Sequence, residues 1–244
     1  MPSVKERFYP EVGFGGFSDI DGTVVFYSRV HALLTHADVV LDVGCGRGRH
    51  LSDAVAFRKG LRVFRGKVSR VIGIDVDPEA KVNPFVDEFR LISPDGKWPI
   101  ATESINCVIA DFVIEHLEDP AAFFSEASRV LCSGGVLCAR TPNRNGYVAL
   151  IARAVPERFH HRILSGAQRD RQAKDIFPAF YKCNVQGTLL QYLHNSKLSG
   201  VVYGYEAEPS YFEFSSLLYG IARWVHLLTP PFLRSTLFVY ARKK

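Results

Sequence analysis

The chain has 244 residues, of which 47% are hydrophobic and 23% are charged, and its formal net charge is +5. These values are ordinary for a globular protein large enough to bury a core, so they exclude a disordered or fibrous chain. The mild basic charge comes without a DNA- or RNA-binding motif, and we predict no nucleic-acid partner. The N-terminus has no apolar signal segment and the five cysteines have neither zinc-site nor disulfide-framework spacing, which predicts a reducing, cytoplasmic setting without a structural metal.

Strand-like and helix-like segments alternate along the chain. The strand candidates, rich in β-branched residues, are Val39–Val43, Arg70–Asp75, Asn106–Ala110, Gly135–Ala139, Gly200–Tyr205 and Ser235–Ala241. The best-marked helix begins after Asp119, a good N-cap followed by Pro120 at the first helical position, and is expected to end at Ser133-Gly134-Gly135. Strands that alternate with helices predict an α/β fold, in which a parallel sheet is covered by helices on both faces.

The segment LDVGCGRG, residues 41–48, follows the first strand and places glycine at Gly44, Gly46 and Gly48. Such a loop lets the backbone approach a ligand closely, and parallel sheets bind ligands at the carboxyl ends of their strands. Asp75 ends the second strand, where a carboxylate can accept both hydroxyls of a ribose. Because Arg49 stands where a dinucleotide-binding loop has its third glycine, a nucleoside with an amino-acid tail fits better than a dinucleotide.

These two motifs, LDVGCGRG and GIDVD, together with the stretch from SPDGKWPI to CARTPNR at residues 93–144, resemble the class I S-adenosylmethionine-dependent methyltransferases. The similarity covers residues 38–145 in the family order and is strongest with the quinone-biosynthesis branch. The resemblance implies a Rossmann-like, seven-stranded, mostly parallel sheet and S-adenosyl-L-methionine as the cofactor. We expect residues 1–37 to form an N-terminal arm and a cofactor-covering helix, and residues 38–244 to form the methyltransferase domain, with residues 143–197 as an inserted helical substrate lid.

The resemblance also implies the residues that bind the cofactor. It assigns the methionine part to Asp42, Gly44, Cys45, Gly46 and Gly48, the ribose to Asp75 with Val76 beside it, and the adenine to Asp95 and Gly96, with Asp111 near the methionine end. Arg29, in the helical stretch before the first strand, is the candidate partner of the methionine carboxylate, with an ordinary exposed arginine as the alternative.

The candidate catalytic residues are two histidines and a tyrosine. His116 follows the fourth strand on the cofactor side, and the alternative is a residue that only fixes its loop. His160 and Tyr181 lie in the predicted lid, where a surface position and a packing role are the respective alternatives. A histidine base would matter for a hydroxyl acceptor, which must lose a proton on methylation.

Basic residues are concentrated in two segments. Arg58, Lys59, Arg62, Arg65, Lys67 and Arg70 link the glycine loop to the second strand, either as a basic lip for an anionic substrate or as a solvated helix face. The predicted lid also carries several arginines, which indicate either a small-molecule substrate that is anionic or lipid-linked or, as the alternative, solvated helix faces. Residues 211–233 are strongly apolar but are interrupted by Glu213, Arg223 and His226, so we predict no transmembrane segment; a packed helix is expected, with an interfacial helix at a membrane surface as the alternative.

The sequence therefore predicts a methyltransferase that uses S-adenosylmethionine and acts on a small-molecule hydroxyl by in-line displacement. Nitrogen and carbon acceptors are the alternatives within this class. A nicotinamide-dependent oxidoreductase and a non-catalytic cofactor-binding partner subunit are the alternatives outside it.

Overall fold

The computed structural model describes residues 2–147, 149 and 178–244. Within these residues the strands are β1 (Val39–Val43), β2 (Arg70–Asp75), β3 (Glu88–Leu91), β4 (Ile105–Asp111), β5 (Leu131–Pro142), β6 (Leu198–Tyr205) and β7 (Thr236–Lys243). The helices are α1 (Val4–Phe8), α2 (Gly22–Ala32), α3 (Ala56–Leu61), α4 (Pro120–Val130), α5 (Gln186–Asn195) and α6 (Ser216–Leu228).

The strands form one sheet in the order β3-β2-β1-β4-β5-β7-β6. The first five are parallel, and β7 runs antiparallel between β5 and β6. The prediction of a seven-stranded, mostly parallel sheet is confirmed. Because the chain moves outward from β1 to β3 and then returns to β4, the strand order reverses between β1 and β4, and this reversal creates a crevice at their carboxyl ends.

Two strands agree with the sequence prediction at both ends, since β1 and β2 have the predicted bounds. The helix α4 begins as predicted, with Asp119 accepting a hydrogen bond from the backbone N–H of Ala122. Its predicted end at residues 133–135 is wrong, because Leu131 already pairs with Ile105 and continues the chain as β5.

Side chains on the two faces of the sheet form two cores. Leu41, which faces one side of β1, packs in the cluster that includes Phe124 of α4 and Leu189 of α5. Val40, which faces the other side, packs in the cluster that includes Phe26 of α2. This alternation follows from the two-residue period of a strand and places helices on both faces, as predicted.

Part of the predicted lid lies outside the described residues, namely residues 148 and 150–177, and His160 falls there. The backbone N–H of Arg144 donates to the carbonyl of Asn184 over 2.8 Å, so the described residues on both sides of that gap meet. Further along, α5 buries Leu189 and Leu193 in the core. The assignment of a lid to residues 143–197 stays a prediction.

The apolar C-terminal segment forms α6 between β6 and β7. Tyr219 and Ala222 are buried, but Leu217, Trp224 and Leu228 are 74%, 66% and 79% exposed. The helix therefore packs through a narrow face and leaves its wider apolar face in contact with solvent. In the part of the chain that the structure describes, no helix combines the length and the hydropathy needed to span a bilayer.

Candidate functional site

The glycine loop after β1 adopts backbone φ angles that residues with a side chain rarely adopt. Gly44, Gly46 and Gly48 have φ angles of +65°, +54° and +79°, in the left-handed region that favours glycine. A Cβ atom added to Gly44 would lie 2.6 Å from Cγ2 of Val113, so this glycine allows close packing. A Cβ atom added to Gly46 would have no heavy atom within 4 Å, so Gly46 faces open space among the described residues. The loop thus offers bare backbone to a ligand.

Side chains from β2 and the following turn hold this loop in place. Asn83 is buried and its Nδ2 donates to the carbonyl oxygens of Cys45 and Gly46 over 2.8 and 3.2 Å. The side chain of Cys45 points into the core against Gly73, where a Cβ atom would lie 2.7 Å from its Sγ. Cys45, one of the predicted cofactor residues, therefore presents only its backbone to the crevice. Asn83 was missed, because nothing in its local sequence distinguishes it from an ordinary turn residue.

Asp75 ends β2 with its carboxylate beside the glycine loop. One carboxylate oxygen accepts from the backbone N–H of Gly46 over 2.8 Å, and the other accepts from the N–H of Asp77 over 2.9 Å. Since a carboxylate offers about four lone-pair positions, two acceptor positions are left for the hydroxyls of a ribose. The residue is 7% exposed, so its charge is held at the edge of the crevice and not in bulk solvent.

The predicted adenine residues lie along the same edge of the sheet. The backbone N–H of Ile92, directly after β3, donates to the carbonyl of Asp75 over 2.9 Å. The turn that follows contains Asp95 and Gly96, both exposed, and Gly96 has a φ of +77°. Val76 is 61% exposed next to Asp75. The structure thus groups these residues around the carboxyl ends of β2 and β3.

Asp42 is the acidic residue of β1 that faces the crevice. It is partly buried, and this burial together with the charges of Asp111 and Asp75 raises the pKa of its carboxyl to about 7. Because this pKa is close to neutral pH, a cation placed next to the carboxyl would readily ionise it. The methionine part of the predicted cofactor carries such a cation in its α-ammonium group.

Asp111, at the end of β4, is joined to a buried arginine. Nε and Nη2 of Arg140 donate to its two carboxylate oxygens, and Tyr27 Oη donates to one of them over 2.8 Å. Burial by itself would raise the pKa of Asp111, but the guanidinium of Arg140 outweighs burial and lowers the pKa. Nη1 of Arg140 also donates to Oγ1 of Thr23 over 3.0 Å. This ion pair ties α2 to the carboxyl ends of β4 and β5, where the predicted covering helix was expected.

Arg29 does not join this group. Its side chain is exposed, and its guanidinium carbon lies 5.7 Å from the ring centroid of Tyr240, on the outer side of α2. Two other arginines, Arg140 and Arg62, meet at Thr23 of α2, since Nη2 of Arg62 donates to the same Thr23 oxygen over 3.4 Å. The geometry therefore favours the exposed-arginine alternative for Arg29.

His116 and Tyr181, two of the predicted catalytic residues, are brought together at Glu115. Nδ1 of His116 lies 2.9 Å from the carbonyl oxygen of Pro178, and the backbone N–H of Tyr181 donates to the carbonyl of Glu115 over 3.1 Å. Glu115 is buried, and burial raises the pKa of its carboxyl. Its Oε2 accepts from Thr141 Oγ1 over 2.9 Å. This polar network lies just beyond the carboxyl end of β4 and beside that of β5.

Comparison with known proteins agrees with this geometry. Residues 41–139 match the family described as "Methyltransferase domain". The chain is 33% identical over 148 residues to a "Probable S-adenosylmethionine-dependent methyltransferase" of Mycolicibacterium smegmatis, an alignment that covers 59% of this chain and 52% of that protein. It is 32% identical over 114 residues to a "Ubiquinone biosynthesis O-methyltransferase" of Rhizobium johnstonii, covering 46% of this chain and 44% of the relative. The chain thus spans about half the length of the curated relatives it matches.

A solved structure shares the fold over nearly the whole chain. The S-adenosylmethionine-dependent methyltransferase from Archaeoglobus fulgidus superimposes with a TM-score of 0.56 at 15% identity, covering 97% of this chain and 99% of that one. At that identity the likeness concerns the fold alone. The family match, by contrast, includes the glycine loop, Asp75 and Asp111 in one continuous alignment. Residues 41–139 therefore match a methyltransferase domain, and the chain is similar over about half of its length to S-adenosylmethionine-dependent methyltransferases.

Proposed function

We propose that this chain transfers the methyl group of S-adenosylmethionine to a hydroxyl oxygen of a small-molecule acceptor. The observation that carries the proposal is the arrangement of Asp42, Asp75 and the bare backbone of Gly46 around one crevice. Relatives named as ubiquinone biosynthesis O-methyltransferases support oxygen as the acceptor atom, although they match only part of the chain.

The residues of the crevice fit this cofactor. Asp75 has acceptor positions left for a ribose, Asp42 can ionise against an ammonium group, and the space at Gly46 admits a ligand that a side chain would exclude. When bound, the cofactor supplies an electrophilic methyl group and a neutral thioether leaving group. The protein then has to align the acceptor and exclude water, and such positioning can supply about 7–11 kcal/mol.

His116 is the proposed general base. Because a carbonyl oxygen only accepts hydrogen bonds, the contact with Pro178 places a proton on Nδ1, and Nε2, the nitrogen that would act as the base, lies 4.0 Å from Oε1 of Glu115. A hydroxyl acceptor would transfer its proton to this nitrogen as the new bond to carbon forms. A well-placed base typically adds about 10²- to 10⁴-fold in rate.

The exposed face of α6 supports a peripheral contact with a membrane surface, and through it access to a lipid-linked acceptor. Leu217, Ile221, Trp224 and Leu228 recur at helical spacing and are at least half exposed. An amphipathic helix with an exposed tryptophan is typical of segments that lie in a membrane interface. Sedimentation with phosphatidylglycerol vesicles would test this contact: wild type should pellet with the vesicles and Leu228→Glu should stay in solution. Cytoplasmic localisation likewise stays a prediction.

Calorimetric titration with S-adenosylhomocysteine tests the proposed cofactor. Wild type should bind in the micromolar range or tighter, and Asp75→Ala should weaken binding at least tenfold because the ribose loses its acceptor. A folded protein that binds NAD and not S-adenosylhomocysteine would overturn the proposal in favour of an oxidoreductase.

Methyl-tritiated cofactor and a cell extract test turnover and the acceptor atom. Wild type should label a small-molecule fraction, whereas a non-catalytic binding protein would bind the cofactor and label nothing. His116→Ala should lose at least a hundredfold in kcat with unchanged cofactor affinity if the acceptor is a hydroxyl. Unchanged kcat would favour a nitrogen or carbon acceptor.

A further inference from the structure

Two buried nitrogen atoms next to the glycine loop, Nε2 of His50 and Nε of Arg62, have no hydrogen-bond partner among the residues that the structure describes. The ring of His50 stacks on Phe85 with 4.1 Å between centroids, which holds the imidazole in place just after Gly48. Buried polar atoms are nearly always hydrogen-bonded, so each exception needs an explanation, such as a ligand that completes the site.

Arg62 belongs to the basic segment after the glycine loop but is turned inward under α2. Its Nη2 donates to Thr23 Oγ1 over 3.4 Å, and its guanidinium carbon lies 5.8 Å from the ring centroid of Tyr27. Its positive charge is close enough to contribute to the lowered pKa of Asp111. The guanidinium therefore lies beside the methionine end of the crevice.

Among the described residues, the neighbouring arginines form direct salt bridges and Arg62 does not. Arg140 is paired with Asp111, and Arg58 is paired with both Asp53 and Asp21. No carboxylate of the described residues forms a salt bridge with Arg62. Since a guanidinium N–H can only donate, the partner of its Nε must be an acceptor, and an anion would form the stronger, charge-assisted hydrogen bond.

His50 adds a second donor that carries no charge of its own. Burial, with a further contribution from the guanidinium of Arg62, lowers the pKa of this imidazole to about 4. The ring is therefore neutral at pH 7, and the tautomer protonated at Nε2 donates one hydrogen bond. A charged donor and a neutral donor suit a group with two acceptor oxygens, that is, a carboxylate.

We propose that Arg62 and His50 bind the α-carboxylate of the cofactor's methionine group, which makes them determinants of cofactor specificity. This inference rests on the proposed function. An amino-acid group carries an ammonium and a carboxylate close together. To bind both, the protein needs an acidic and a basic side chain at a similarly short spacing. Arg62 and Arg140 donate to the same Thr23 oxygen, and Arg140 holds Asp111. Asp42 is in register with Ile109, two residues before Asp111 on β4, so Asp42 and Arg62 lie at the same end of the crevice.

Calorimetry with two ligands tests the assignment. One is S-adenosylhomocysteine and the other is its decarboxylated analogue, S-adenosyl-3-thiopropylamine, which keeps the ammonium and the thioether. Wild type should bind the first about 10- to 100-fold more tightly, as expected for charged hydrogen bonds to one carboxylate. In Arg62→Gln the two affinities should come within about threefold of each other, and His50→Phe, which keeps the stack on Phe85, should lose part of the preference.

Lys59→Gln is the matched control, since it removes the same charge from the same segment without touching the crevice. It should keep the wild-type preference, and circular dichroism should show that each variant is folded. A wild-type protein without any preference, or an Arg62→Gln variant with the full preference, would overturn the assignment. If Arg62→Gln instead keeps the preference and raises KM only for a carboxylate-bearing acceptor, the site belongs to that acceptor and the proposal is wrong. Failure of wild type to bind S-adenosylhomocysteine at all would instead refute the proposed function.

Discussion

Gly46→Ala separates the ligand-binding role of the glycine loop from its contribution to stability. The substitution forces a side chain into a φ of +54°, which costs about 1–2 kcal/mol in the folded state, but the new methyl group meets no heavy atom of the described residues within 4 Å. If the cofactor fills that space, the methyl group must push against it. A misfit of one methyl group costs about 1–3 kcal/mol, or about 5- to 150-fold in Kd.

Gly134→Ala is the control for the backbone strain. Gly134 has a φ of +78°, also has no heavy atom within 4 Å of its Cβ position, and lies at the start of β5 away from the crevice. Urea unfolding should therefore give a similar loss of stability for both variants, whereas calorimetry with S-adenosylhomocysteine should show weaker binding only for Gly46→Ala. Equal affinity in the two variants would refute the location of the ligand at this loop.

Three further predictions concern the residues around the loop. Because the pKa of Asp42 is raised to about 7, its carboxyl must lose a proton before it can pair with an ammonium group. The affinity for S-adenosylhomocysteine should therefore rise with pH and level off above about pH 7. Calorimetry on Asp42→Asn should show an affinity that does not change with pH. Arg140→Met should lower the free energy of urea unfolding by about 3–5 kcal/mol because Asp111, which is partly buried, loses its cationic partner. Adding Asp111→Asn should restore most of that loss, and a loss under about 1 kcal/mol for Arg140→Met would contradict this account of the pair. Asn83→Ala should cost about 1–3 kcal/mol and weaken cofactor binding, since two loop carbonyls lose their donor, and an unchanged thermal midpoint would show that Asn83 does not hold the loop.

The strand β3 shows where pattern reading fails. Its sequence, Glu-Phe-Arg-Leu at residues 88–91, alternates charged and apolar residues and is only four residues long, so it was not recognised as a strand. In the structure it is an edge strand parallel to β2, and Glu88 pairs with Arg70 and Arg90. These charges are acceptable there because an edge strand is partly exposed to solvent.

The arginines near the crevice show a second limit. Arg29, Arg62 and Arg140 are the same residue type, and local sequence does not tell which guanidinium reaches a ligand. Arg140 is buried within a continuous run of buried residues on β5, and its partner Asp111 is 29 residues earlier in the chain. Arg62 was predicted only as part of a basic segment with a solvated face as the alternative, yet it lies under α2 beside Thr23.

By itself the sequence determined the parallel α/β sheet, the glycine loop after β1 and the acidic residue at the end of β2, because burial, left-handed backbone and strand position leave local marks on residue type. Tertiary structure decided which charged side chains surround the crevice. Asp42, Arg62 and Asp111 come from three separate parts of the chain, and the pKa values of the two carboxyl groups depend on burial and on the charges that the fold places beside them. Long-range electrostatics of this kind has no counterpart in a local sequence pattern, so it could be found only in the folded chain.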